Sequence, residues 1–79
     1  MDVQKVLHYF ITKLVDKPEA LVITQRATPE KMIYEVRVSS LDLAKIIGKE
    51  GRTFKALRSF INTIDSENRN DLVIDTTVI

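Results

Sequence analysis

The sequence predicts a two-layer α+β fold, in which one three-stranded mixed sheet carries three helices on a single face in the order α-β-β-α-α-β. Three observations lead there. Apolar residues recur at helical 3,4 spacing in three stretches, β-branched or alternating runs occupy three others, and the only two glycines, Gly48 and Gly51, separate the second and third helical stretches. A chain of 79 residues is close to the lower limit for one hydrophobic core without metals or disulfides, so residues 1–79 are expected to form a single domain.

The first helix is capped by Asp2 and buries a stripe of Val3, Val6, Leu7, Phe10, Ile11 and Leu14, with Pro18 as its stop. His8, the only histidine, lies beside that stripe and is read as structural or surface. Residues 20–26 are rich in β-branched side chains. Residues 32–38 alternate Met32, Tyr34, Val36 and Val38 against Ile33, Glu35 and Arg37, which sets Tyr34 in the core. The short connection between them contains Pro29 and predicts an antiparallel hairpin. Ser39 or Ser40 caps a short helix containing Leu43, Ala44 and Ile47, where Asp42 supports the first turn through the helix dipole. That helix stops at Gly48. A longer helix starts near Gly51 or Arg52 and ends near Asp65, with Thr53, Ala56, Leu57, Phe60, Ile61 and Ile64 inward. Residues 66–70 read as a turn, and residues 72–78 as a last strand with Leu72, Ile74, Thr76 and Val78 on one face. A strand, two helices and a strand make a right-handed crossover that sets this last strand parallel to the second.

Composition narrows the function. Hydrophobic residues at 44% and charged residues at 29% suit a small globular protein. The absence of cysteine excludes disulfides and thiolate metal sites and fits a reducing, cytoplasmic setting. The N-terminus does not read as a signal peptide, and no run approaches the roughly 20 apolar residues of a spanning helix. One histidine without a paired acid, and no clustered carboxylates, leave catalysis, a metal or a cofactor without footing. Only two residues separate Gly48 from Gly51, and Arg52-Thr53 follow where Lys and Ser or Thr are required, so the loop also fails as a nucleotide-binding P-loop.

Charge is concentrated where the glycines are. Lys45, Lys49, Arg52, Lys55 and Arg58 face only Glu50 between positions 45 and 58, a local formal charge of +4 in a chain of +1. Glycines that let a phosphate approach the main chain, a helix N-terminus and a basic ribbon at three-residue steps together suit a polyanion.

The segment Ile46-Ile47-Gly48-Lys49-Glu50-Gly51-Arg52 between two helices resembles the (I/V)-I-G-x-x-G-(R/K) signature of KH domains, and the element order is that of their type II form. A chain made of little else resembles the small stand-alone bacterial KH proteins of the KhpA family. The extended match through Thr53, Lys55, Ala56, Leu57 and Arg58 is more specific than GxxG alone. The resemblance implies single-stranded RNA as partner, with the loop clamping about four nucleotides. It implies an aliphatic floor of Leu43, Ile46 and Ile47, the last strand and residues 66–70 as the opposite wall, and a role as post-transcriptional regulator or RNA chaperone. It also implies a homodimer, a heterodimer with a larger KH-containing protein, or both. Phe54, Phe60 and Ile61 are the contact candidates, because their helix carries a wider apolar band than one core stripe requires. Two features depart from the pattern: Glu50 brings an acid into the loop, and Phe54 is larger than is usual at its position. They keep open a protein-interaction module with little RNA binding, and the helix-glycine-helix stretch keeps open a helix-turn-helix DNA-binding protein.

Overall fold

A computed structural model describes residues 2–64 and 69–75. The elements are α1 (Val3–Leu14), β1 (Val22–Ala27), β2 (Met32–Arg37), α2 (Leu43–Ile47), α3 (Arg52–Ile64) and β3 (Asn70–Ile74), with 3-10 turns at Pro18–Ala20, Ser40–Asp42 and Lys49–Gly51. The sheet order is β1-β2-β3. The β1–β2 pair is antiparallel with Ala27 opposite Met32, and β2–β3 is parallel with Tyr34 opposite Leu72. This is the α+β order expected from the sequence.

Asp2 caps α1 by accepting the Lys5 N–H. The helix ends at Leu14, earlier than Pro18 requires. The next two free N–H groups, of Asp16 and Lys17, bond to the Asp42 carboxylate at 3.0 Å each, in place of helix carbonyls. Pro18 instead opens a 3-10 turn that takes up Ala20, so β1 begins at Val22. The hairpin closes through Thr28, whose N–H bonds to the Lys31 carbonyl at 2.8 Å and whose hydroxyl accepts the Lys31 N–H at 3.0 Å.

Ile23, Tyr34, Val36 and Leu72 of the sheet meet Val3, Leu7 and Ile11 of α1, Ile46 of α2 and Leu57 and Ile61 of α3 in one buried cluster. In α3 the inward stripe is rotated from the expected one. Leu57 and Ile61 are buried and Phe54 and Ile64 pack against the cluster, while Ala56 is exposed. Asn70, expected in a turn, starts β3 and is buried. Its N–H bonds to Asn62 Oδ1 and its amide donates to the Ile61 carbonyl, which ties β3 to the end of α3. Most of the expected turn at 66–70, and the outer strand residues Thr76 and Val78, lie outside the described residues.

Candidate nucleic-acid interface

The loop after α2 depends on both glycines, for different reasons. Gly48 closes α2 at φ 77°, ψ 172°, with its N–H on the Ala44 carbonyl at 2.8 Å. That backbone region is essentially restricted to glycine. A Cβ there would also lie 2.3 Å from Thr53 Oγ1, so the first turn of α3 sits directly on Gly48. One 3-10 turn follows, closed by the Gly51 N–H on the Gly48 carbonyl at 3.1 Å. Glu50 occupies the left-handed region at φ 57°, ψ 24°, uncommon for a residue with a side chain. Gly51 also has positive φ, at 73°, but a Cβ there would meet only the Lys55 Cε, at 3.9 Å. The main chain at Gly51 is therefore open on one side, with the Lys55 stem running along it. Arg52 begins α3 at once, its own N–H bonded to the Lys49 carbonyl, so the positive end of the helix dipole lies beside this opening.

The five cations of the stretch are not equivalent. Arg52 pairs with Glu50 at 3.2 Å, both exposed, and Arg58 Nε pairs with Asp71 Oδ1 at 3.0 Å. Lys45 is held by Asp16 and lies 3.6 Å from Asp42. Among the described residues, Lys49 and Lys55 have no acid within ion-pair distance. The continuous basic ribbon expected from the sequence is thus cut by acids, Asp16 and Asp71 from far along the chain and Asp42 and Glu50 from nearby, and among the described residues its unpaired charge lies on Lys49 and Lys55.

Asp71 also binds Lys31 Nζ at 3.0 Å, which joins the hairpin to β3 beside α3. Burial works to raise its pKa, but the bonds from Lys31 and the Leu72 N–H and the charge of Arg58 outweigh that and hold it below the usual value.

The aliphatic residues also divide. Ile46 is fully buried and offers no surface, so it supports the expected floor from beneath, while Leu43 and Ile47 are half-buried at the surface. Ile61, named as a partner contact, is 0% exposed and faces the core, which removes it as a contact residue. Phe54 is half-buried against the core. Phe60 meets Phe10 edge-on at 5.3 Å, and the two, with Thr53, Ala56 and Leu57, line an apolar hollow of about 320 Å³ between α1 and α3. Tyr9, Phe10 and Leu14 leave substantial apolar surface exposed on α1.

Sequence reasoning set Asp42 at the start of α2 but missed its main partners. Asp42 stands before α2 but makes no side-chain capping bond there. It is 0% exposed, and its carboxylate is lowered in pKa first by the Asp16 N–H and also by the Lys17 N–H and Lys45, against the effect of burial. Its partners lie some 25 residues upstream, so no local pattern carries the signal.

The family model described as KhpA/KhpB, KH domain, matches residues 4–75. The chain belongs to this family. A protein named RNA-binding protein KhpA from Chlamydia caviae is 45% identical over 62 residues, covering 78% of this chain and 80% of that one. A protein of the same name from Listeria monocytogenes is 40% identical over 58 residues, covering 73% and 76%. Another, from Clostridium perfringens, is 36% identical over 62 residues, covering 78% and 83%.

Proposed function

We propose that this chain binds single-stranded RNA at the turn between α2 and α3, and that it binds without catalysing a reaction. The observation that carries the reading is the opening at Gly51: a main chain beside which only the Lys55 stem lies, at a helix N-terminus, between Lys49 and Lys55, which no acid among the described residues neutralises. The relatives named RNA-binding protein KhpA support the same reading. Phosphates approach the turn at Gly48 and Gly51, Lys49 and Lys55 supply the first charges, and Leu43 and Ile47 underlie the bases of about four nucleotides. Arg52 and Arg58 join by exchanging Glu50 and Asp71 for phosphate. Contacts of this kind follow the backbone, so affinity is modest, tolerant of sequence and steeply dependent on salt.

One such groove is a weak ligand for RNA, and two grooves held together gain avidity through effective concentration. The protein therefore acts as a cytoplasmic post-transcriptional regulator or RNA chaperone, paired with a second copy or with a larger KH-containing protein. Its apolar hollow and the exposed Tyr9, Phe10 and Leu14 support this assembly. No helix among the described residues is long and apolar enough to cross a membrane.

The test is titration of a short single-stranded RNA and of duplex DNA into wild type and Gly51→Asp at two salt concentrations. Expected are preference for the RNA, loss of affinity as salt rises, and loss of binding in a Gly51→Asp protein whose circular dichroism stays native. Wild-type affinity in that folded variant removes the turn as the site, and preference for the duplex favours the helix-turn-helix reading.

A further inference from the structure

Helix α2 has five residues, too few to hold its own direction in water, yet it carries the turn on its C-terminal end. Its contacts with the core run through the buried Ile46 and the half-buried Leu43. At its N-terminal end, the carboxylate of Asp42 accepts the backbone N–H groups of Asp16 and Lys17 at 3.0 Å each, inside a fully covered site. Lys45, one turn later on α2, bonds to Asp16 and approaches Asp42 at 3.6 Å, so a second link joins α2 to the same connector. Both links grip the chain just after α1, and neither touches the turn.

We propose that the Asp42–Lys45–Asp16 cluster is a latch that sets the position of the RNA-binding turn, and that Lys45 acts through this latch without contacting RNA. The inference rests on the RNA-binding reading above. Gly48 lies six residues beyond Asp42, about 9 Å along the helix axis, so a tilt of about ten degrees at the latch displaces the turn by about 1.5 Å. Such a shift separates a phosphate from hydrogen-bonding range, although the core beneath α2 remains packed. Asp42 and Lys45 are thus positioning residues. Lys49 and Lys55 are contact residues, and the two roles differ in a measurable way. A lost contact lowers the number of counterions released and flattens the salt dependence, whereas a displaced turn weakens binding with the same number of charges present.

The experiment compares Asp42→Asn, Lys45→Met and Lys55→Met with Ile23→Ala, a core change in β1 at the opposite edge of the sheet from β3. RNA affinity is measured across salt concentrations well below the melting temperature of every variant. Hydrogen exchange of the Gly48 and Gly51 amides is followed alongside. Asp42→Asn and Lys45→Met are expected to weaken binding several-fold, keep the wild-type salt slope and speed exchange at both glycines. Lys55→Met is expected to lower the slope by about 0.7 with exchange unchanged. Ile23→Ala is expected to lower the melting temperature and leave affinity and glycine exchange as in wild type. Wild-type affinity and exchange in Asp42→Asn overturn the latch, as does an equal loss in Ile23→Ala. A flattened slope in Lys45→Met assigns Lys45 to direct contact. Should Asp42→Asn not fold, Lys45→Met carries the same comparison, since it leaves the carboxylate bonds in place. A wild type that binds no RNA removes the functional reading, while the exchange rates still decide whether the cluster holds the turn.

Discussion

Glu50→Lys tests the turn at its weakest charge. In the folded protein the Glu50 carboxylate lies 3.2 Å from Arg52 Nη2, with both side chains largely in water. The substitution changes the local charge by +2 and also releases Arg52 from its only acid partner among the described residues. An exposed ion pair of this kind is worth little to stability, so the fold is expected to persist, with residue 50 kept in the left-handed region. For single strands the logarithm of affinity falls with the logarithm of salt by about 0.7 per phosphate contact. With Lys49 and Lys55 as the free cations, the wild type is expected to show a slope of about −1.4 to −2.8, depending on how far Arg52 and Arg58 join. Freeing Arg52 and adding a lysine gives one to two further contacts. Each further contact makes the advantage of the variant shrink by about 2.6-fold for every four-fold rise in salt. Fluorescence anisotropy with a labelled single-stranded RNA, read at about 50 and about 200 mM salt, measures both quantities. Tighter binding at low salt with a steeper slope is the expected result. Tighter binding with an unchanged slope refutes the counterion argument, and unchanged affinity shows that Glu50 points away from the phosphate path.

Other changes separate the turn, the core and the assembly. Gly48→Ala is expected to lose about 3 kcal/mol or more, because a Cβ there meets Thr53 Oγ1 at 2.3 Å in a backbone region reserved for glycine. Gly51→Ala is expected to lose about 1 kcal/mol, a melting shift of about 4–8 °C, and equal losses in urea denaturation would contradict the geometry. Asp42 and Asp71 have folded pKa values below the ordinary 3.8, so the stability they add is present above that value and is lost as pH falls through the folded ones. Asp42, facing Lys45 and Asp16, and Asp71, facing Lys31 and Arg58, should both contribute to acid unfolding below about pH 4. A chemical-denaturation series in Asp42→Asn should then show a flatter loss in that range, and an identical profile would count against the assignment. By sedimentation, wild type is expected to dimerise over a wide concentration range and both Tyr9→Ala and Phe60→Ala to shift toward monomer; a wild type that stays monomeric throughout excludes the homodimer.

The elements were legible in the sequence because each rests on a local signal. Asp2 does cap α1, the alternation of Tyr34 and Val36 does face the core, and the two glycines do interrupt the helices. Parallel pairing of β3 with β2 followed from chain order alone. What escaped are features set by partners far apart in the chain. The end of α1 is fixed by Asp42 and not by Pro18, since a buried carboxylate accepting two N–H groups competes with the helix for them. The inward face of α3 is set by how it lies on the sheet, which turns Ala56 outward and brings Phe54 against the core. A wide apolar band on a helical wheel does not show which edge of it is covered, and for that reason Ile61 looked available when it is wholly buried.

The same distinction governs the charges, and it bears on the affinity of the proposed RNA site. Counted along the chain, residues 45–58 form a strong cationic pole, which would hold a polyanion at almost any geometry. In space, Asp16, Asp42 and Asp71 return to the same region and engage Lys45 and Arg58, and Glu50 engages Arg52. Two of these acids also do structural work, Asp42 by fixing the start of α2 and Asp71 by joining the hairpin to β3 beside α3. Removing them to raise the positive charge would therefore loosen the turn that the charge is meant to serve. Affinity in a domain of this size is thus limited by its own scaffold, and more of it has to come from a second groove than from further cations on the first. On the proposed reading, the apolar hollow between α1 and α3 would hold the assembly and the open turn at Gly51 the RNA, as two parts of one binding strategy. Loss of assembly in Phe60→Ala should then lower the apparent affinity for an RNA long enough to span two grooves, while the affinity for a four-nucleotide RNA stays unchanged.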